Sequence, residues 1–464
     1  MRLTLKFIFV LLFSITFSSC SKNGDGPSGK PTQGVEPSEL SGKPGDCKEF
    51  IASLPNDYFH DWLTVPEIPN DNSSPPIKVF YYGPKMLNQN LVLFYNGGPG
   101  SDSHGSVSLF EPPIKQYGLQ KNISIIYMDQ RGTGCSSAYP HEKTNEDILR
   151  ARWYGSTGIV YDSEALRQKL VGDKKWRVFG QSYGGFIVHR YVSLFPQSIE
   201  AAYSHANTLN DDPQERLYNR IFSQYRVFNM YLLEHPEDKE KFEALKKYLT
   251  VQKCFETKYV GPVCGHDVLS EMVALVRFSN RWPRLHTTIG AIVIKKDLSL
   301  VTDDEQIKKF ITDYVDYDEA ETGYTLSVIG YYDRNTLPTN FEYCSLIYKK
   351  LSSFNIGEDQ ILMNECMPAI QTQRTSNRLQ KIKEVLNFAN DHLSINKFKS
   401  GLLQMSSKAF FLYSGEKDTF VPKEMFTEEL NAVGTLLNYT HFQNSGHEGF
   451  RSEKQVWDDL VKVF

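Results

Sequence analysis

Trp176-Arg177-Val178-Phe179-Gly180-Gln181-Ser182-Tyr183-Gly184-Gly185-Phe186 is the stretch that decides how the rest of the chain is read. Arg177-Val178-Phe179 reads as the end of a short buried strand. Phe186-Ile187-Val188 with Tyr191-Val192 then recur at helical spacing. Between them stands Gly180-x-Ser182-x-Gly184. Strand, sharp turn and helix form the setting in which the serine of G-x-S-x-G is held above a sheet as a nucleophile, and glycine tolerates the tight backbone this needs. Two glycines around a serine are common in loops, so it is the flanking strand and helix that make Ser182 a candidate.

Outward from that stretch, Asp46 to about Thr208 alternates short strands with turns and helices. Ile77–Tyr82, Leu91–Tyr95, Ile123–Asp129 and Ile199–Ala206 read as strands, and Asp162–Val171 as an amphipathic helix. Such alternation predicts a mostly parallel sheet with helices on both faces. From residue 210 to about 393 the pattern changes to long helical stretches with charged faces, such as Pro213–His235 and Asp238–Tyr248. Strand character returns at Lys408–Ser414, and Gln455–Val463 reads as a closing helix. The expected organisation is a core of residues 46–209 and 394–464, split by a large helical cap, residues 210–393, inserted after the sixth strand.

A serine hydroxyl needs a base to remove its proton, and the base needs an orienting acid. After the 408–414 strand comes Gly415-Glu416-Lys417-Asp418-Thr419-Phe420-Val421-Pro422, where Asp418 is the candidate acid and Glu416 its rival. Asn444-Ser445-Gly446-His447-Glu448-Gly449-Phe450 follows a short strand, Tyr439–Phe442, and offers His447 as the base. His441 alternates with strand neighbours and reads as structural. For an oxyanion hole, the amide of Tyr183 and one from Gly97-Gly98-Pro99-Gly100 are expected, Gly98 first and Gly97 second. A phosphate-cradling loop is disfavoured there, because no Lys-Ser/Thr follows.

NGGPG (96–100), DQRGTGCS (129–136), GQSYGGF (180–186), GEKDTFVP (415–422) and SGHEGF (445–450), in that order, resemble the proline iminopeptidase family of α/β-hydrolases, peptidase family S33, which includes prolyl and tripeptidyl aminopeptidases. The resemblance runs over most of 57–464 and is faint in the cap. It implies an α/β-hydrolase fold and hydrolysis of short peptides from a free amino terminus, with Ser182, Asp418 and His447 as the triad. It also implies that Asp129, Gln130 and Arg131 brace the site. Cap-borne carboxylates bind the substrate ammonium in relatives, and Glu342 and Glu365 are the candidates here. Asn96 stands where many members have His, and Tyr183 where smaller members have Trp; both leave substrate preference open. An esterase of the same fold is the rival chemistry, and a binding lipoprotein without turnover the rival class.

Composition agrees with an exported enzyme. Apolar residues at 40% suffice for a large core, and 51 basic against 55 acidic groups, with no basic run, argue against a nucleic-acid partner. Arg2 and Lys6 precede an apolar run too short to span a bilayer, and Ser18-Ser19-Cys20 resembles the cleavage box of bacterial lipoproteins. Residues 1–20 are therefore expected to be a signal peptide with lipidation at Cys20, followed by a flexible Gly/Pro/Ser-rich tether, 21–45. The expected partners are peptide substrates, with membrane contact only through the lipid, in the periplasm or at the cell surface of a bacterium. Export permits disulfides. Cys254 with Cys264 is the favoured pair and Cys344 with Cys366 a plausible one. No zinc-type spacing occurs, so no metal and no cofactor are expected.

Overall fold

The computed structural model describes residues 44–462 apart from 89, 139–143, 210–212, 250–252, 257–261, 297–298, 315–392 and 406–408. Cys20, Glu342, Cys344, Glu365 and Cys366 lie outside the described residues. The first part of the chain runs α1 (Pro44–Ser53), β1 (Tyr58–Pro66), β2 (Pro76–Pro84), β3 (Asn90–Tyr95), α2 (Ser106–Gln116) and β4 (Ile123–Met128). It continues with α3 (Asn145–Ala151), α4 (Ser156–Val171), β5 (Trp176–Gln181), α5 (Tyr183–Leu194) and β6 (Ile199–His205).

An insertion follows. Its described part holds α6 (Pro213–Glu234), α7 (Asp238–Leu249), β7 (Cys254–Phe255), β8 (Val263–Cys264) and α8 (Gly265–Ala274), then α9 (Trp282–Ile292), β9 (Val293–Lys296), β10 (Ser299–Thr302) and α10 (Asp304–Tyr314). The chain returns to the core with α11 (Ile395–Gln404), β11 (Phe410–Gly415), α12 (Thr427–Val433), β12 (Asn438–Phe442) and α13 (Lys454–Leu460).

Eight strands form one sheet in the order β1-β2-β4-β3-β5-β6-β11-β12. β1 and β2 pair antiparallel, as do β2 and β4; every other pairing is parallel. The parallel strands β4, β5 and β11 are buried along their whole length, as expected of strands covered on both faces. Successive side chains divide between the two faces. Leu91, Leu93 and Tyr95 of β3 join Ile159, Phe186 and Phe398 in one core, while Val92 and Phe94 join Phe110, Trp457 and Leu460 in the other. Helices therefore cover both faces, α4, α5 and α11 on one side, α2 and α13 on the other.

Three features depart from the sequence reading. β1 was not expected, because it is an edge strand with exposed His60, Asp61 and Thr64 and only Leu63 and Val65 fully inside. α1 begins at Pro44, inside the stretch expected to be tether, and is pinned by a Cys47–Cys135 disulfide. The insertion is not purely helical: it carries two antiparallel ribbons, β7–β8 and β9–β10, the first closed by the expected Cys254–Cys264 disulfide. Among the described residues the insertion packs around its own apolar cluster, with Tyr231, Phe242, Trp282 and Phe310 inside.

Register places the strand ends that matter at one edge. Tyr95 is level with Gly180, Gln181 with His205, and Tyr413 with His205. At that edge α5 sits directly on β3: a Cβ at Gly184 would lie 2.1 Å from the Tyr95 carbonyl oxygen, and one at Gly180 would lie 2.0 Å from the Gly184 carbonyl oxygen. Backbone at these positions cannot move aside as a flexible side chain could. Gly184→Ala is therefore expected to cost about 3 kcal/mol of stability or more, read as a lower urea midpoint. An unchanged midpoint would mean that the contact between α5 and β3 is looser than described.

Candidate active site

Ser182 occupies the turn between β5 and α5 with φ 58° and ψ −122°, a left-handed conformation unusual for a residue with a side chain. Such strain is held by its surroundings. Here the Ser182 amide donates to the His205 carbonyl at 2.9 Å, and α5 is buried from Tyr183 to Val192.

Asp418 lies in the turn after β11, fully buried, and Oδ1 accepts the amides of Phe420 (2.9 Å) and Val421 (3.0 Å). Its other oxygen, Oδ2, is 2.9 Å from His447 Nδ1. Only an Nδ1–H can donate to that carboxylate, so the contact selects the tautomer whose Nε2 carries a lone pair. The imidazole packs against Phe420, ring centroids 4.8 Å apart, and Gln181 Nε2 donates to the His447 carbonyl at 2.9 Å. The loop that bears His447 is thereby tied to the residue just before Ser182. The Ser182 hydroxyl bonds none of the described residues; bonds between nucleophile and base often tighten only with substrate present.

Glu416 is engaged elsewhere. It binds Arg226, lies 2.8 Å from Lys423 Nζ and 2.8 Å from His441 Nε2. Burial would raise this carboxyl, but Lys423, His441 and Arg226 together hold it below the usual carboxylate range. His441 also bonds Ser414 Oγ at 2.8 Å and is structural.

The Gly-rich loop after β3 faces Ser182: a Cβ on Gly97 would lie 3.2 Å from Ser182 Cβ. Asn96 spans this loop, accepting from the Gly97 amide at 2.9 Å and donating to the Asp102 carbonyl. The Gly97 N–H is thus already engaged by a side chain, and Gly98 beside it stands at φ 106°. Tyr183 is the first residue of α5, at the end where a helix presents its amides.

Asp129 ties this loop to the next one. Its Oδ1 accepts from Ser103 N (2.7 Å) and Ser103 Oγ (2.6 Å), and its Oδ2 accepts from Cys135 N (2.7 Å), with His104 Nε2 at 3.1 Å. Gln130 Nε2 donates to the Asn96 carbonyl at 3.0 Å. Arg131 forms a buried fork with Asp162, at 2.7 and 2.6 Å, and reaches the carbonyls of Glu67 and Trp153. All three residues bond the scaffold.

Two groups of neighbours had no sequence signal. From the insertion, α6 reaches the acid's turn: Arg220 Nε donates to the Phe420 carbonyl (2.8 Å), Ser223 Oγ to the Asp418 carbonyl (3.2 Å), and Arg226 Nη2 to the Glu416 carbonyl (2.9 Å). Almost two hundred residues separate these partners, so neither stretch announces the other. His205, at the end of β6, is fully buried, and neither ring nitrogen has a hydrogen-bond partner among the described residues.

Burial pushes the His205 imidazole down to about 3, the nearby Asp418 charge opposing this only in part. Its folded value is depressed, so the stability it permits is complete above the unfolded value, about 6.5, and is lost as pH falls toward 3. Within that window unfolding takes up a proton, which tilts stability by about 1.4 kcal/mol per pH unit. His205→Phe is expected to flatten the stability curve between pH 6 and pH 4. Equal slopes in the two proteins would assign the acid sensitivity to another group.

Comparison with known proteins bears on the fold and on sequence relationship. The alpha/beta hydrolase fold profile matches residues 90–246. A proline iminopeptidase of Aspergillus aculeatus is 28% identical over 178 residues, covering 35% of this chain and 38% of its own length. One from Aeromonas sobria is 31% identical over 152 residues, covering 30% of this chain and 34% of its own. The chain thus spans little more than a third of the length of these relatives. Among solved structures, a proline iminopeptidase-related protein from Thermus thermophilus aligns over 86% of this chain and 95% of its own, with 13% identity and a TM-score of 0.35.

Proposed function

The chain is an α/β-hydrolase related in sequence to the proline iminopeptidases, and from that premise we propose that it is an exported serine aminopeptidase acting on short peptides with a free amino terminus. The observation that carries this reading is the 2.9 Å contact between His447 Nδ1 and Asp418, on loops that meet at the Ser182 turn.

In the proposed reaction His447 Nε2 takes the Ser182 proton as Oγ attacks the scissile carbonyl. Asp418 holds the imidazole in register and supports its positive charge. The oxyanion forms against the amides of Gly98 and Tyr183, fixed donors that need no rearrangement as charge develops. His447 then returns its proton to the leaving amine, and the C–N bond breaks. Water, activated by the same base, hydrolyses the acyl-enzyme and regenerates Ser182. No metal or cofactor takes part in these steps. The insertion, anchored through α6 beside the acid, acts in this reading as a cap that admits chain ends and excludes folded protein.

Two disulfides support passage through an oxidising compartment, and anchoring by lipid at Cys20 belongs to the same proposal. The test compares peptide anilides with free and acetylated amino termini against short acyl esters. A preference for unblocked anilides of at least tenfold is expected. Equal turnover of blocked and free substrates would reject the aminopeptidase, and turnover of esters alone would make the protein an esterase.

A further inference from the structure

The insertion brings together a second set of side chains that the proposed hydrolysis does not use. His235 follows the last residue of α6, Glu237 precedes α7, and His286 lies on α9. One ring nitrogen of each histidine and one carboxylate oxygen of Glu237 all lie within 4.8 Å of one another. The two imidazoles are stacked, 4.5 Å between centroids and 17° between planes.

What organises this cluster is Asp238. It is fully buried, receives the Tyr231 hydroxyl and Lys241 Nζ (2.9 Å), and its Oδ2 is 2.9 Å from His286 Nδ1. A carboxylate can only accept, so His286 carries its hydrogen on Nδ1, and the lone pair is left on Nε2. That lone pair faces Glu237 Oε1 at 3.7 Å. Nε2, the Glu237 oxygen and the neighbouring imidazole together form a donor set that a cation between them can satisfy. A carboxylate behind a histidine, fixing its tautomer and orientation, is also what accompanies histidines that ligate metals.

We propose that His235, Glu237 and His286 bind a divalent transition-metal ion of the zinc type, with Asp238 orienting His286. Two imidazoles and one carboxylate match zinc, nickel or copper, whereas calcium and magnesium prefer all-oxygen sites. Bonds of about 2.0–2.2 Å to nitrogen and oxygen draw the three donors closer than they stand in this structure. Asp238 holds His286, so the closing movement falls to the Glu237 side chain, 53% exposed, and to the half-buried His235. The bound ion joins the end of α6, the start of α7 and α9, and α6 is the helix that bonds the Asp418 turn. The other grouping of this kind among the described residues, His104, Asp129 and Cys135, is a poor candidate because its sulfur is in the Cys47–Cys135 disulfide.

The test uses untagged full-length protein stripped with a chelator and titrated calorimetrically with zinc chloride, with no peptide substrate present. One zinc per chain at micromolar affinity or tighter is expected, with a rise in melting temperature. His235→Ala and His286→Ala should each weaken binding at least tenfold and abolish the rise, while far-ultraviolet circular dichroism stays unchanged. His235→Ala changes a half-buried side chain outside the helices, so it covers the case in which His286→Ala fails to fold. Absence of binding at 100-fold excess zinc, or equal affinity in wild type and both variants, would overturn the site. Because the readout is binding, the result stands apart from whether the chain proves to be a peptidase.

Discussion

Ser182→Ala is expected to lower kcat by about 10⁴-fold or more and to abolish labelling by a fluorophosphonate probe, while leaving the fold intact. The first half follows from the reaction: without Oγ no acyl-enzyme can form, and only water held near the oxyanion donors remains to attack. The second half follows from the site. The Ser182 hydroxyl bonds none of the described residues, so its removal strands no partner. Alanine must adopt the same left-handed φ of 58° that serine already tolerates, and the amide bond to the His205 carbonyl is unaffected. The change in stability should therefore stay within about 0.5 kcal/mol. Measurement of single-turnover kinetics and a urea curve on the same preparation separates the two. Full turnover in the variant would remove Ser182 from the mechanism, and labelling at a different serine would relocate the site.

Asp418→Asn is expected to reduce kcat by about 10⁴-fold with little change in KM. The asparagine carbonyl can keep the amides of Phe420 and Val421, which now bond Oδ1. Its amino group is then directed at His447 Nδ1. Two donors cannot face each other, so the imidazole hydrogen is forced onto Nε2, where it points at the nucleophile and cannot accept its proton. Substrate contacts are untouched, which is why KM is spared. Glu416→Gln provides the contrast. Glu416 binds Arg226, Lys423 and His441 rather than His447, so its loss should lower stability and leave kcat within about tenfold. A reversed ranking of these two variants would transfer the acid's role to Glu416.

The two carboxylates also show where reading the chain from its residues alone runs short. Glu416 and Asp418 stand two positions apart in one turn after one strand, and nothing local separates them. The resemblance to a known family favoured Asp418, and the contact with His447 is a property of the folded chain. Gly97 and Gly98 are a similar pair. Nothing in the sequence shows that the side chain of Asn96 accepts from the first of them.

The core strands from β2 to β6 with β11 and β12, the helices α4 to α7, the turn at Ser182 and the Cys254–Cys264 pair were legible without coordinates. Apolar periodicity, glycine placement and short loop closure act between near neighbours, and near neighbours are what a linear chain displays. Other features were decided by the tertiary structure alone. The Cys47–Cys135 bridge joins residues 88 apart; α6 grips the turn of Asp418; His205 is buried with no hydrogen-bond partner among the described residues; and His286 is brought to His235 and Glu237. Each joins residues that are distant along the chain and meet only once it has folded. Such partners leave no periodic trace in the sequence, because the contact selects shape and charge at two distant places independently.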